Sequence, residues 1–208
     1  EAAGRRPLVC AYHGWSYDAQ GHANHIPLHD ELYRFPVQER DGLRLFSNMP
    51  PDLNMLIESA RRHGDKTFIV EGATRLSFND VFRLRDALVP HLGITARGER
   101  VAICMRNRSE WVIAFLAAIR AGGVPALVNS RGAPAELAAA VEDVTPTLVL
   151  ADAERAALLR EGGYQGRILE TKDFPTEGEA GPPPSPAQPE DPAAILFTSG
   201  TTGHVKGA

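Results

Sequence analysis

Short apolar runs alternate with amphipathic stretches along the middle of the chain. Residues 101–105 are continuously apolar, which is typical of a strand buried on both faces of a sheet. Residues 110–120 follow with a helical pattern, with Ser109 in front as a cap and Gly122-Gly123 behind as a stop. The pattern therefore predicts a buried strand followed by a helix.

The same order repeats further along the chain. Residues 124–128 predict a strand, Pro134 opens a helix over residues 135–142, and residues 148–150 predict the next strand. This β-α-β-α-β order predicts an α/β fold, an open and mostly parallel sheet with helices on its faces.

A hairpin and a helix precede this region. Residues 68–70 and 75–78 predict two strands joined by a glycine turn. Ser77 and Asp80 have the spacing of a capping box, and they predict a helix that ends at Gly93. Its inward positions are mostly Val81, Phe82, Leu84, Leu88 and Leu92.

A proline-rich segment, residues 174–192, interrupts the alternation. It contains seven prolines, so it favours an extended surface linker over a helix or an inner strand. A short apolar strand, residues 193–197, follows it. The first 46 residues are rich in turn formers and hold four of the seven histidines. We therefore predict two domains, residues 1–46 and residues 47–208.

The composition excludes some classes of function. Lysine and arginine number 22 against 26 acidic residues, so the net charge of −4 gives no electrostatic reason to bind nucleic acid or anionic membranes. The longest apolar run, residues 111–119, is far shorter than the roughly 20 residues of a membrane span. The two cysteines, Cys10 and Cys104, lie in unlike contexts, so the sequence does not predict a disulfide framework. The absence of such a framework favours a reducing cytoplasm. Glu1 and Ala208 are unusual termini, and we expect a fragment open at both ends.

The segment 198–207 combines the groups that bind a polyphosphate: glycine amides, hydroxyl donors and a cation. Its glycines are Gly200, Gly203 and Gly207, and its hydroxyl donors are Thr198, Ser199, Thr201 and Thr202. Lys206 supplies the cation. The common nucleotide loop has Ser or Thr directly after its lysine, whereas Gly207 follows here. Taken alone, such a cluster also fits a flexible turn after a strand.

The full string from residue 197 to residue 207, Phe-Thr-Ser-Gly-Thr-Thr-Gly-x-x-Lys-Gly, resembles the signature of the adenylate-forming enzymes. These include acyl-CoA synthetases, luciferases and peptide-synthetase adenylation domains. The resemblance extends back to residue 47, through residues 75–78, residues 101–115 and residues 122–126. Val205 stands where members usually carry proline, which loosens the loop but removes no phosphate-binding group.

The resemblance implies the front part of an ATP-dependent acid–thiol ligase. In the family a carboxylate attacks the α-phosphate of ATP, and coenzyme A then displaces AMP from the acyl-adenylate. The phosphate loop, here Thr198–Gly203 with Lys206, holds the β- and γ-phosphates with Mg²⁺. The family's adenine, ribose, acyl and catalytic lysine residues lie downstream of this loop. We therefore expect no catalytic residue in this chain and no turnover by it alone.

A second motif lies near the beginning of the chain. Cys10 and His13 have Cys-x-x-His spacing, which suits a metal. The string Cys-x-Tyr-His-Gly-Trp-x-Tyr-Asp over residues 10–18 resembles the second ligand loop of Rieske [2Fe–2S] proteins, and residues 36–43 are similar to the closing strand of that domain. The resemblance implies a small all-β Rieske-like remnant over residues 1–46, in which Cys10 binds one iron and His13 the other.

Several alternatives stay open for this motif and for the chain. A Rieske cluster needs a further Cys-x-His pair, so we expect no cluster in these residues. A chance Cys–His turn, or a zinc site completed by His22 and His25, also fits Cys-x-x-His. For the whole chain, the alternative hypothesis to a ligase is an iron–sulfur oxidoreductase. A third hypothesis is a non-catalytic scaffold.

Overall fold

The computed structural model describes residues 53–181 and 191–197 with their side chains. It describes further residues only as backbone in strands, namely residues 8–9, 16–17, 23–25, 37–40, 43–46, 198 and 206–207. The chain forms two units, Glu1–Pro51 and Asp52–Ala208.

The described elements of the first unit are all strands. They are β1 (Leu8–Val9), β2 (Ser16–Tyr17), β3 (Ala23–His25), β4 (Val37–Arg40) and β5 (Leu43–Phe46). Strands β1, β2 and β3 form an antiparallel sheet in that order, and β4 pairs with β5 as a separate antiparallel pair. The small all-β unit predicted at the beginning of the chain is confirmed for these described strands.

The second unit contains five helices and eight strands within its described residues. The helices are α1 (Leu53–Ser59), α2 (Phe78–Leu88), α3 (Ser109–Arg120), α4 (Pro134–Asp143) and α5 (Ala153–Glu161), with short 3-10 turns at Ala60–His63, Val89–His91 and Thr171–Asp173. The strands are β6 (Thr67–Glu71), β7 (Thr74–Ser77), β8 (Arg100–Cys104), β9 (Val124–Leu127), β10 (Leu148–Ala151), β11 (Ile168–Glu170), β12 (Ile195–Thr198) and β13 (Lys206–Gly207). Among the described helices, none is both long and apolar enough to cross a membrane.

The main sheet has the strand order β11-β10-β8-β9-β12-β13. The first five strands run parallel, and β13 pairs antiparallel with β12. Ala102 in β8 lies opposite Val149 on one side and Ala126 on the other. The predicted open, mostly parallel sheet with flanking helices is therefore confirmed. Strands β6 and β7 form the predicted hairpin outside this sheet.

Side chains of the central strands fill a separate core on each face of the sheet. Val101, Ile103 and Met105 pack with α2 and α3 on one face. Ala102 and Cys104 pack with α4 and α5 on the other. All five are at most 2% exposed. The continuous apolar pattern of residues 101–105 thus follows from helices that cover both faces.

The predicted capping box opens α2. The amide of Asp80 donates to Ser77 Oγ at 3.1 Å, and the Ser77 amide donates back to Asp80 Oδ2 at 3.0 Å. These reciprocal bonds satisfy two amides that the helix leaves without partners. The helix changes to a 3-10 turn at Val89 because Pro90 has no amide hydrogen to donate. The helical path then stops before Gly93, whose φ is +71°.

The prediction that Ser109 caps α3 was wrong. Ser109 is the first residue of the helix, Arg108 takes the cap position, and no side-chain cap bond forms. The Ser109 amide instead donates to Glu71 Oε2 at 2.8 Å. A carboxylate from the β6–β7 hairpin therefore satisfies the start of the helix, a long-range contact that local spacing does not reveal.

A fully buried arginine joins the first helices of this unit. Arg85 in α2 has no exposed surface, although its position in the sequence looks polar. Its Nη1 lies 2.6 Å from Glu58 Oε1 in α1, and its Nε donates to Asp86 Oδ1 at 2.8 Å. The guanidinium also lies 4.4 Å from the centre of the Phe82 ring. The contact with Glu58 links α1 to α2, whereas Asp86 and Phe82 lie on α2 itself.

Arg85→Ala should lower the free energy of unfolding by about 3 kcal/mol, because it removes the buried guanidinium from Glu58 Oε1 and Asp86 Oδ1, although Arg61 still contacts both carboxylates. This is the lower end for a broken buried pair, since the Glu58 side chain is 36% exposed. Arg83→Ala is the matched control on the same helix, because that side chain is 52% exposed and should cost at most about 1 kcal/mol. Urea denaturation of both variants measures the difference. Equal losses of unfolding free energy in the two variants would contradict a stabilising role for the buried Arg85–Glu58 pair.

Candidate functional site

The parallel strands place several connections at one edge of the sheet. Strands β8, β9, β10 and β12 all run in the same direction, so their carboxyl ends share that edge. Ligands of open α/β sheets bind outside the carboxyl ends of the strands. We call this edge, with the connections that leave it, the carboxyl edge.

The predicted phosphate loop begins at this edge. Strand β12 pairs with β13 so that Thr198 lies opposite Lys206 and Phe197 opposite Gly207. The backbone pairing thus brings together Thr198 and Lys206, the two ends of the predicted loop. The other predicted phosphate-binding residues, Ser199, Gly200, Thr201, Thr202 and Gly203, lie outside the described residues.

The β9–α4 connection, residues 128–133, lies beside the end of β12. Strand β9 pairs with β12 at Ala126–Ile195 and at Leu127–Leu196, so the connection starts one residue further along. Helix α4, which the connection enters, contacts β13. This connection is therefore a wall of the region where the predicted phosphate loop starts.

Hydrogen bonds and close packing fix the shape of that connection. Asn129 Oδ1 accepts the Arg131 amide at 3.1 Å, and Glu136 Oε2 accepts the Ala133 amide at 3.1 Å. A Cβ atom at Gly132 would lie only 3.2 Å from Leu137 Cδ2. The connection is thus closely packed where it enters α4.

Asp152 is a buried carboxylate at the carboxyl edge and is 6% exposed. Its Oδ1 accepts the Arg155 amide at 2.9 Å and so caps α5, while its Oδ2 accepts the Arg106 amide at 3.0 Å. Burial raises the pKa of Asp152, but the amides of Arg106 and Arg155 and the Arg155 guanidinium outweigh it and hold the pKa below its usual value. Asp152 is therefore an ionised carboxylate that links the connection after β10 to the connection after β8.

Arg155 is the buried partner of Asp152 and is 7% exposed. Its Nε donates to the carbonyl oxygen of Ser130 at 3.0 Å, and its Nη1 lies 3.6 Å from Asp152 Oδ1 and 2.6 Å from Glu154 Oε2. Local sequence patterns predict no functional role for either residue. One local signal was available, because Asp152 directly follows a buried strand and precedes a helix, as an N-cap does.

The thiol of Cys104 lies beneath this edge and is fully buried. Burial, with the charge of Asp152, raises the pKa of Cys104 to about 12. The side chain is therefore a neutral thiol near pH 7, neither a ready nucleophile nor a ready metal ligand. It fits the inert core position that the apolar strand predicts.

The predicted iron ligands, Cys10 and His13, lie outside the described residues. They stand between β1 and β2, which pair antiparallel with Val9 opposite Ser16. In the part of the chain that the structure describes, no group of three or more histidine, cysteine or acidic residues could hold a metal ion. Cys104 is fully buried as a neutral thiol in an apolar core, so it is not available as a further ligand of a Rieske cluster. The donor set of these 208 residues does not fit the cluster.

Comparison with known proteins agrees with this architecture. Residues 56–208 match the family of AMP-binding enzymes, and residues 2–36 match the Rieske [2Fe-2S] domain. The chain is 33% identical over 162 residues to the 3-hydroxybenzoate–CoA ligase of Aromatoleum sp. (strain CIB), covering 68% of this chain and 30% of the ligase. It is 32% identical over 116 residues to the hybrid PKS-NRPS synthetase prlS of a fungal species (strain NRRL 50135), covering 55% of this chain and 3% of the synthetase.

A solved structure shows the same fold. The N-terminal subdomain of Klebsiella oxytoca NpsA matches with a TM-score of 0.65 at 21% identity, over 76% of this chain and 41% of that one. The AMP-binding match covers well over half of the 208 residues, and the chain belongs to that family of enzymes. It spans less than a third of the length of the curated relatives named above.

The lowered pKa of Asp152 makes a pH-dependent contribution to stability. A carboxylate whose pKa falls on folding stabilises the protein above its unfolded pKa of about 3.9, and this contribution disappears as pH falls through the folded value. We therefore expect Asp152→Asn to be less stable than the wild type at neutral pH. The gap should close below about pH 4.

Urea unfolding of both proteins across that pH range checks this expectation. Asp143→Asn, at the exposed end of α4, serves as the control for removing one negative charge. A stability gap that stayed constant down to acid pH would contradict a role for the Asp152 charge.

Proposed function

We propose that this chain is part of an ATP-dependent acyl-activating ligase, which joins a small carboxylic acid to coenzyme A. The supporting observation is the pairing of β12 with β13, because it sets Thr198 opposite Lys206 at the carboxyl edge. The chain's membership of the AMP-binding family supports the same assignment. Curated relatives include a 3-hydroxybenzoate–CoA ligase. The proposal for this chain names the class of substrate, a small carboxylic acid, and not a particular acid.

In the proposed reaction a carboxylate oxygen attacks the α-phosphorus of ATP, and pyrophosphate leaves. The thiol of coenzyme A then attacks the acyl carbon, and AMP leaves. The residues proposed to hold the departing phosphates are Thr198, Ser199, Gly200, Thr201, Thr202, Gly203 and Lys206. Their amides, hydroxyls and ammonium group would bind the phosphate oxygens as negative charge collects on them. Mg²⁺ would offset part of that charge.

We further propose that the ligase part begins near residue 47 and that the linker over residues 174–192 leads into the strand of the phosphate loop. These 208 residues cover 30% of the 3-hydroxybenzoate–CoA ligase. Because the proposed phosphate loop lies within them and the family's adenine, ribose and catalytic residues lie downstream of it, we expect them to bind ATP through its phosphates without completing the reaction. The cytoplasmic location also stays a prediction.

Lys206→Met tests the phosphate loop directly. It removes the cation and keeps most of the aliphatic stem, so we expect ATP–Mg²⁺ to bind at least about tenfold more weakly in titration calorimetry. Lys172→Met is the matched control, because Lys172 is 66% exposed and contacts Glu170 at 3.0 Å. The control should bind as the wild type does. Unchanged affinity in Lys206→Met would contradict the assignment of the loop.

A second candidate function is an iron–sulfur electron-transfer or oxygenase component. The match of residues 2–36 to the Rieske domain favours it, with Cys10 and His13 as the ligands that this sequence supplies. A [2Fe–2S] cluster of this type requires two cysteines and two histidines. We rank this function second because the described residues add no further ligand to that pair.

Chemical reconstitution separates the two candidates. After anaerobic treatment with iron and sulfide, we expect the chain to hold far less than one cluster per molecule, because half of the ligands are missing. Iron and acid-labile sulfide assays measure the content, and Cys10→Ser gives the background for adventitious iron. A stoichiometric, coloured cluster that depends on Cys10 would favour the electron-transfer function.

A further inference from the structure

We propose that Asp152 and Arg155 are positioning residues for the nucleotide site, a role that rests on the ligase function proposed above. Together they hold the β9–α4 connection, residues 128–133, in place beside the carboxyl end of β12. The phosphate loop leaves the sheet at that end, so this pair would set one wall of the space that ATP enters.

The contacts of the pair join three connections of the carboxyl edge. Asp152 follows β10 and accepts the amide of Arg106, which follows β8. Arg155 donates its Nε hydrogen to the carbonyl of Ser130, in the middle of the connection that follows β9. Successive strands of the edge are thus linked through two side chains of one helix turn. The pair fixes the spacing of these connections relative to one another.

The burial of Asp152 and Arg155 indicates that this ion pair does more than stabilise the fold. Both residues are less than one tenth exposed, and charges taken out of water carry a desolvation penalty. Replacing a buried ion pair by apolar residues is often neutral or stabilising, so stability alone does not account for it. The hydrogen bonds of Asp152 and Arg155 to Arg106 and Ser130 lead to backbone groups of the edge, which suits a role in holding loops.

Backbone pairing and side-chain packing connect residues 128–133 to the end of β12, where the predicted phosphate loop begins. Val128, the first residue of the held connection, donates its amide to the carbonyl of Ile103 at 3.1 Å. Val128 and Phe197 belong to the same core, and Phe197 lies one residue before Thr198. A displacement of residues 128–133 would therefore shift the surface against which the end of β12 packs. Small displacements of this kind lower the affinity for a ligand, because the polar groups that bind it no longer converge on it.

Helix α5 supplies a matched control for the experiment. Arg160 also donates to backbone carbonyls, those of Tyr164 and Gly166 at 2.7 and 2.9 Å. These acceptors precede β11, so they lie at the opposite edge of the sheet. Arg155→Met and Arg160→Met therefore remove the same group from the same helix, at different distances from the proposed site.

The test compares ATP–Mg²⁺ binding, thermal stability and amide hydrogen exchange in the full 208-residue chain. Arg155→Met should weaken binding about tenfold and speed exchange at residues 128–133 and 196–198. Arg160→Met should leave both within about twofold of the wild type, even at an equal loss of Tm. Arg155→Lys keeps the charge but loses the Nε donor, so it should stay folded and still bind more weakly.

The possible outcomes separate this inference from the proposed function. A wild-type chain that binds no ATP–Mg²⁺ would overturn the proposed function, and the inference with it. Wild-type binding that Arg155→Met and Arg155→Lys both retain would overturn only the inference. Binding losses that follow the loss of Tm equally in the Arg155 and Arg160 variants would also overturn it, because they would show a purely structural role.

Discussion

The burial of β8 on both faces is the constraint on which the second unit depends. A strand covered by helices on each side has no water to satisfy its amides and carbonyls, so it must pair with neighbours along both edges. Strands β9 and β10 supply those partners in parallel register. Their direction brings every connection that follows a parallel strand to one edge. The candidate site lies at that edge because the parallel strands all end there.

Two buried arginines, Arg85 and Arg155, link elements of this unit that are separate in the chain. Arg85 fastens α1 to α2 through Glu58, whose pKa is lowered because its bonds to Arg61 and Arg85 outweigh the effect of burial. Arg155 fastens the β9–α4 connection to α5. In both cases a long side chain reaches a partner on another element, Arg85 as an ion pair and Arg155 through a directed hydrogen bond. The first joins helices, whereas the second joins loops at the edge where a ligand would bind.

The two motifs of the sequence differ in what the rest of the chain offers them. The phosphate-loop motif begins at the end of a paired strand, and its last residues return as the partner of that strand. The Cys10–His13 motif stands between two short antiparallel strands of the first unit. The other cysteine of the chain packs in the core of the second unit. The predicted phosphate-loop motif thus starts from a paired strand at the carboxyl edge, whereas the Cys10–His13 motif supplies one pair of predicted ligands.

Local patterns predicted most of the elements, and contiguous residues carry the two predicted motifs. The apolar run at residues 101–105, the capping box of Ser77 with Asp80, and the helix opened by Pro134 all act over a few residues, so one sequence suffices to predict them. The glycine, threonine and lysine residues of the phosphate loop are likewise contiguous. Their chemistry can be read without knowing what surrounds them.

Long-range contacts decided the rest, because they depend on residues far apart in the chain. Arg85 and Arg155 look like solvated charges until helices and connections pack around them. Ser109 looks like a cap until the β6–β7 hairpin brings Glu71 to its amide. The sequence by itself determined the strands and helices that local patterns specify, and it supplied the residue types of the predicted phosphate loop. Only the tertiary structure decided which charges are buried and which loops they hold, since the free energy of a charge depends on its surroundings.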